Sequence, residues 1–174
     1  MTNYKDAKGW LRADEREELV RLARDIGENE SAVIVNIGVE YGASIACFRA
    51  GNSVAHVIGI DIDCSKFIDN DYSCQLIEAD SFKMSIGWDT GVDLLFIDGD
   101  HSYEGVKRDT EWIKFSRKGG YVIFHDCYDF DDPSLEVHGV CPGVNQAVVE
   151  WGVKQSAFEE LDPVGTMRIF RRVE

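Results

Sequence analysis

A chain of 174 residues, 44% hydrophobic and 29% charged, has the make-up of one globular domain with a core large enough to stand without staples. Its formal net charge of −14 disfavours nucleic acid and anionic membrane as partners. No apolar run is long enough for a transmembrane helix, and Met1–Asp6 lacks the apolar stretch of a signal peptide, so a cytoplasmic location is expected.

Residues 1–9 read as a loose arm. From Asp14 to Ile26, apolar residues at Leu19, Val20, Leu22, Ala23 and Ile26 mark one helical face. Asp14, Glu15, Glu17 and Glu18 crowd its start, where the helix dipole favours anions. Trp10 and Leu11 either pack behind this helix or edge a ligand pocket, and core packing is the expectation. Ala32–Ile37 is a β-branched run of the kind buried on both faces of a sheet. Gly38 and Gly42 break it, a helix follows to Ala50, and Gly51-Asn52 ends that helix. Val54–Asp61 is the second strand, Cys64–Asn70 a short helix, Cys74–Ala79 the third strand and Val92–Ile97 the fourth. An amphipathic helix spans Tyr103–Phe115, Gly119-Gly120 closes it, and Tyr121–Phe124 is the fifth strand. The acidic stretch Cys127–Val140, with Asp129, Asp131, Asp132, Glu136 and His138, is long for a strand-to-helix connection and suits a lid or substrate loop. Pro142-Gly143 opens a helix to Trp151, and strands near Ala157–Leu161 and Thr166–Arg171 flank a hairpin turn at Pro163-Val164-Gly165. The five cysteines (Cys47, Cys64, Cys74, Cys127, Cys141) form no C-x-x-C pair and read as buried free thiols rather than a zinc site.

This alternation predicts an α/β fold: a doubly wound, mostly parallel, seven-stranded sheet closed by a C-terminal antiparallel hairpin. Ligands of such sheets bind beyond the carboxyl ends of the strands. Here those ends hold Gly38, Asp61, Asp80, Asp98 and Asp126. The first turn is spaced G-x-x-x-G, not the G-x-G-x-x-G of a pyrophosphate site. That spacing points to an adenosine ligand without a diphosphate, and S-adenosylmethionine fits. Asp61, with Asp63 nearby, is placed to accept ribose hydroxyls. Asp80 and Ser81 are placed at an adenine edge, although both residue types also cap helices. The fourth and fifth strands end in Asp98-Gly99-Asp100-His101 and His125-Asp126. Neighbouring strands lie about 5 Å apart, so these ends converge. Two Asp with open water positions suit Mg²⁺, and an added imidazole moves the preference towards Mn²⁺, Fe²⁺ or Zn²⁺. His101, whose ordinary pKa suits a base at neutral pH, stands beside them.

Ile34–Ser44, Gly59-Ile60-Asp61, Glu78-Ala79-Asp80-Ser81, Phe96–Tyr103 with Val106–Asp109, and Gly119–Asp126 with Pro142-Gly143-Val144 together resemble the class I S-adenosylmethionine-dependent methyltransferases. Within that class the chain is most similar to the small metal-dependent O-methyltransferases, whose relatives include the catechol, caffeoyl-CoA and macrocin-type sugar enzymes. The resemblance covers nearly the whole chain, and the Asp98–Gly105 stretch is its most specific part. It implies that Gly38, Gly42 and Ser44, with Asn36 and Tyr41 in the same segment, surround the methionine end of the cofactor. Asp61 and Asp63 would meet its ribose, and Asp80 and Ser81 its adenine. Asp98 would border the cofactor as well as the metal. Asp98, Asp126 and His125 would be the metal ligands, and His101 with Asp98 the catalytic pair.

Three features depart from the pattern. Asn36 stands where the family usually has an acid. His125 stands where the sugar enzymes have a metal-binding acid, whereas the catechol enzymes align a ligand with Cys127. The chain also has no obvious N-terminal lid, so the acceptor site is open or completed by a partner subunit, as in a homodimer. The activity so implied is methyl transfer to a hydroxyl of a small diol or catechol-like acceptor. A non-catalytic S-adenosylmethionine-binding module is the alternative, and an NAD-dependent oxidoreductase is disfavoured by the glycine spacing.

Overall fold

The computed structural model describes residues 3–27, 29–68, 73–127, 141–152 and 154–174. Its sheet has seven strands: β1 (Val33–Ile37), β2 (His56–Asp61), β3 (Gln75–Glu78), β4 (Val92–Ile97), β5 (Ser116–Phe124), β6 (Phe158–Glu160) and β7 (Arg168–Arg172). Their order is β3-β2-β1-β4-β5-β7-β6. The first five run parallel, and β7 joins β5 and β6 antiparallel. The helices are α1 (Ala13–Asp25), α2 (Ala43–Gly51), α3 (Ser81–Ser85), α4 (Tyr103–Asp109) and α5 (Pro142–Gly152).

Strand alternation divides the core into two layers. Ile34, Leu94, Phe96, Tyr121 and Ile123 face the layer of α1 and α2, which contributes Leu19, Leu22, Ile45 and Phe48. Val33, Val35, Ile37, Leu95, Ile97, Val122 and Phe124 face the other, with Val106 of α4, Trp112, and Val144 and Val148 of α5. All five β1 residues are therefore buried, as an unbroken apolar run requires. Phe96 is fully buried and meets Phe48 edge-on at 5.9 Å between ring centroids. Truncating such a ring to Ala costs about 3–5 kcal/mol.

After β3 the chain crosses to the far side of β1, which makes the β1/β4 boundary the topological switch point. Gly38 and Asp98 leave the sheet there side by side: the Asp98 amide donates to the Ile37 carbonyl at 2.8 Å, and the Gly38 amide to the Ile60 carbonyl at 2.9 Å.

Several boundaries differ from the sequence reading. The segment after Asn3 is not loose: Ala7 is buried, and Arg16 donates to the Tyr4 carbonyl at 2.7 Å. β2 begins at His56, because Asn52 holds the Val54 and Ala55 amides in a turn. Cys64–Lys66 is one 3₁₀ turn. Ser81–Ser85 is a helix that the sequence pattern did not reveal. The predicted Tyr103–Phe115 helix ends at Asp109 and continues as 3₁₀ over Thr110–Phe115. Gly119-Gly120 then lies within β5, where pairing with β4 slips between Val92 and Leu94. The final hairpin turns at Gly165-Thr166, inside the Val164–Met167 bridge, one residue later than read from Pro163. None of the five cysteines is in a disulfide, as expected, but Cys64, Cys74 and Cys141 are only partly buried. Among the described residues no helix is long and apolar enough to cross a membrane. The residues singled out in the predicted lid, the acids Asp129, Asp131, Asp132 and Glu136 together with His138, lie outside the described residues.

Candidate active site

A cavity of about 990 Å³ runs along the carboxyl ends of β1, β2, β4 and β5. Its floor is the turn after β1. Gly38 adopts φ 79°, and any Cβ there would strike the Asp98 carbonyl, so only glycine permits this approach of two strand ends. Asp61, at the end of β2, folds the same turn: its Oδ2 accepts the Val39 and Glu40 amides at 2.7 and 3.0 Å, and its Oδ1 accepts the Asp63 amide at 3.0 Å. Charge-assisted bonds of this kind are among the stronger ones. They fill both lone-pair sites of Oδ2 and leave one on Oδ1 for a ligand.

At one end of the cavity the wall is Ile62, Asp80, Ser81, Phe82, Arg108 and Asp109. Ile62 is 74% exposed, an apolar side chain offered to whatever fills the slot. The Arg108 guanidinium stands 4.8 Å from the Phe82 ring centre and pairs with Asp80 at 3.2 Å. Asp80 also caps α3 by accepting the Lys83 amide at 3.2 Å. Ser81 donates its hydroxyl to Asp109 at 2.5 Å. Burial pushes the Asp109 carboxyl up to about 6, against the Ser81 bond that favours its ionised form.

At the other end Asp98, His101, His125 and Asp126 meet. His101 Nε2 lies 3.4 Å from Asp98 Oδ1 and 3.5 Å from Asp126 Oδ2. Asp126 reaches this position from a left-handed backbone, φ 54°, which is uncommon for a residue with a side chain. Burial opposes ionisation of Asp98, but bonds from His101 and His125 outweigh it and hold its carboxyl below the ordinary value. The Asp98 bond, against burial and with help from Asp126, holds His101 above its ordinary value. Burial also opposes a charge on His125, yet bonds to Asp126, Asp98 and Glu15 overcome it and raise the imidazole to about 12. Glu15, from α1, is itself fully buried and lowered to about 2: burial works against its charge, and bonds from His125, Thr166 and Arg12 prevail.

One ligand atom each from Asp98, His125 and Asp126 lie within 4.8 Å of one another, and the same holds for His101, Asp126 and Cys141. Either set is close enough to share one cation. The expected residues that line the cavity are Gly38, Tyr41, Ser44, Asp61, Asp80, Ser81, Asp98, His101, His125 and Asp126. Three expected residues do not. Asn36 is fully buried beneath the turn and donates to the Gly38 carbonyl at 2.5 Å. Asp63 is turned to the Ser65 amide, at 2.9 Å, as the cap of the 3₁₀ turn. Gly42 lies behind the loop against the Phe67 ring. Cys127 also stays out: it is buried, with Sγ 3.8 Å from the His125 carbonyl, and burial pushes its thiol up to about 12.

Other lining residues were not among the expected site residues. Trp10 is 81% exposed at the cavity rim rather than packed in the core, while Leu11 is buried as expected. Glu15 is one helical turn before Leu19, and Asp109 lies between Val106 and Trp112. An acid in phase with a buried stripe was the signal for both.

A family model described as a methyltransferase domain matches residues 35–127. A relative from Acanthamoeba polyphaga mimivirus, the uncharacterized protein R132, is 32% identical over 142 residues, which are 71% of this chain. The chain spans 62% of that relative's length. Among solved structures, a candidate O-methyltransferase from Klebsiella pneumoniae superposes with a TM-score of 0.72 at 19% identity, covering 99% of this chain and 87% of the other. The methyltransferase MycE of the mycinamycin biosynthetic pathway, in complex with Mg and SAH, superposes with a TM-score of 0.65 at 17% identity, over 96% of this chain and 51% of its own.

Proposed function

Because the chain belongs to the methyltransferase-domain family, we propose that it is an S-adenosylmethionine-dependent O-methyltransferase. Its acceptor is a small molecule with adjacent hydroxyls, such as a catechol or a sugar diol, and a divalent cation assists. The observation that carries this reading is the shape of one cavity. A slot walled by Ile62, Phe82 and Arg108 lies at one end, and the Asp98–His101–Asp126 cluster lies at the other. The slot suits an adenine face, Asp61 its ribose, and the turn from Gly38 to Ser44 its amino-acid end. The Mg and SAH bound by MycE, a protein of the same fold, support the pairing of cation and cofactor.

The cofactor supplies a methyl group on a positively charged sulfur, and the cation, when held by Asp98, Asp126 and His125, supplies charge that favours ionisation of an acceptor hydroxyl. The chain's own work is alignment and proton transfer. His101 stands within hydrogen-bonding reach of both carboxylates and takes the acceptor proton on Nε2. The same two carboxylates, Asp98 first, hold the His101 pKa above its ordinary value, so neutralising their charge would lower it and favour the imidazole as a base. Fixed walls then hold the acceptor oxygen in line with the transferred carbon, the positional contribution such a site makes.

Calorimetry with S-adenosylhomocysteine, with and without divalent cation, tests the reading. Binding of the nucleoside together with methylation of a catechol or sugar diol supports it. Binding of NADH with no response to S-adenosylhomocysteine refutes it, and binding without any transfer leaves a non-catalytic module.

A further inference from the structure

The acidic end of the cavity holds more nitrogen than a magnesium site needs. His125 is 5% exposed, and each ring nitrogen faces carboxylate. Nδ1 lies 3.2 Å from Asp98 Oδ1 and 3.4 Å from Asp126 Oδ1, and Nε2 lies 3.2 Å from Glu15 Oε2. Glu15 has no freedom to move. Its Oε1 accepts the Thr166 amide at 2.8 Å and the Thr166 hydroxyl at 2.9 Å, and its Oε2 accepts the Arg12 amide at 2.8 Å. Gly165 packs directly on this carboxylate at φ 58°, where a Cβ would collide with Glu15. A helix, a strand end and a hairpin turn thus converge to fix one carboxylate against one imidazole.

A carboxylate that accepts a hydrogen bond from Nε2–H leaves Nδ1 as the nitrogen whose lone pair can meet a cation, and a fixed carboxylate fixes the ring plane as well. That atom faces the gap between Asp98 and Asp126. His101 and Cys141 bring a second imidazole and a thiol to Asp126, within the same mutual distance. Mg²⁺ prefers an all-oxygen octahedron, whereas imidazole nitrogen suits the later divalent ions.

Resting on the cation-assisted reading above, we infer that this centre selects a divalent transition ion over Mg²⁺ through His125 Nδ1, and that Glu15 is the positioning residue that presents that atom. Entry of the ion releases the ring proton to solvent, as a metal–histidine bond requires. Glu15 touches neither acceptor nor cofactor in this scheme and acts only through His125.

The test is direct titration of the purified chain with Mn²⁺, Co²⁺ and Mg²⁺ separately, by calorimetry and, for Co²⁺, by its visible absorption. The expected result is Co²⁺ and Mn²⁺ binding at least about 10-fold tighter than Mg²⁺, with a Co²⁺ spectrum that His125→Asn alters. Glu15→Gln should lose about 10–100-fold of the Co²⁺ affinity, the usual cost of removing such a supporting carboxylate, while the weak Mg²⁺ binding changes little. Glu15 is also a packing hub, so circular dichroism checks each variant. If Glu15→Gln does not fold, His125→Asn, which leaves Glu15 and its bonds to Thr166 in place, decides. Equal affinity for Mg²⁺ and Co²⁺ overturns the inference and leaves cation assistance standing. Selectivity that survives His125→Asn but disappears in Cys141→Ser overturns it in favour of the His101–Asp126–Cys141 set. No binding of any divalent ion, with S-adenosylhomocysteine still bound, removes the cation from the proposed function itself.

Discussion

Asp109→Asn should make the protein more stable at pH 8 and leave it little changed at pH 4. Asp109 is 4% exposed, and among the described residues its carboxyl accepts one hydrogen bond, from the Ser81 hydroxyl. Burial lifts its carboxyl from 3.8 to about 6. Below about pH 4 the folded and unfolded chains both hold the proton, and its charge costs nothing. Between about pH 4 and 6 the unfolded chain releases the proton while the folded chain keeps it, so stability falls as pH rises. Above about pH 6 the penalty is complete. A shift of about two units corresponds to about 3 kcal/mol at 1.36 kcal/mol per unit. Asn keeps the volume and an oxygen to accept from Ser81, removes the charge, and puts an amide NH2 in place of the second oxygen, a change that does not vary with pH. Urea unfolding of both proteins at intervals from pH 4 to 8 isolates this group, because every other carboxylate is common to the pair. The stability difference should open across pH 4–6 and level off above it. A difference that is flat with pH, or one that widens with the variant the less stable, would refute burial as the cause.

Asp98→Ala should abolish methyl transfer while S-adenosylhomocysteine still binds, as calorimetry and a turnover assay would report; transfer that persists in excess chelator counts against cation assistance. Gly38→Ala combines a left-handed backbone, worth about 1–2 kcal/mol for a residue with a Cβ, with a collision on the Asp98 carbonyl, so its melting temperature should fall and its cofactor affinity with it. Asp61→Ala strips the Val39 and Glu40 amides of their acceptor and should weaken S-adenosylhomocysteine binding by at least about 10-fold, since each lost charge-assisted bond is worth about 1.5–3 kcal/mol; unchanged affinity would mean the turn holds its shape without it. Phe96→Ala should cost about 3–5 kcal/mol in urea unfolding with little change in the slope.

The fold was legible because its periodicities are clean. Val33–Ile37 has only one polar residue, Asn36, and the structure buries that one too, so a strand covered on both faces was the direct reading. Boundaries were lost where side chains, not apolar spacing, decide them. Asn52 delays β2 by holding two amides, and Asp80 starts a five-residue helix too short to show a face. Gly119-Gly120 reads as a helix stop but sits in a strand whose pairing slips at that point, and pattern alone does not distinguish a bulged strand from a turn.

The site was legible wherever a polar residue ends a strand, because strand ends in a parallel sheet share one rim. Asp61, Asp98 and Asp126 follow from that rule. Asn36 and Asp63 show its reach: one residue too early lies under the turn, and one too late belongs to the next cap. Glu15 and Asp109 obey a different rule. Neither ends a strand, and both sit in phase with the buried side of a helix, where an acid is costly unless bonded. The structure puts one at each end of the cavity, Glu15 behind His125 and Asp109 behind Ser81. Their opposite displacements, one to about 2 and the other to about 6, have one origin. Glu15 meets an imidazolium and three hydrogen-bond donors, whereas Asp109 meets one hydroxyl. Charge at the acidic end is thus built to be kept, and at the end proposed for adenosine it is disfavoured. That asymmetry is what a cation at one end and an uncharged base at the other would demand.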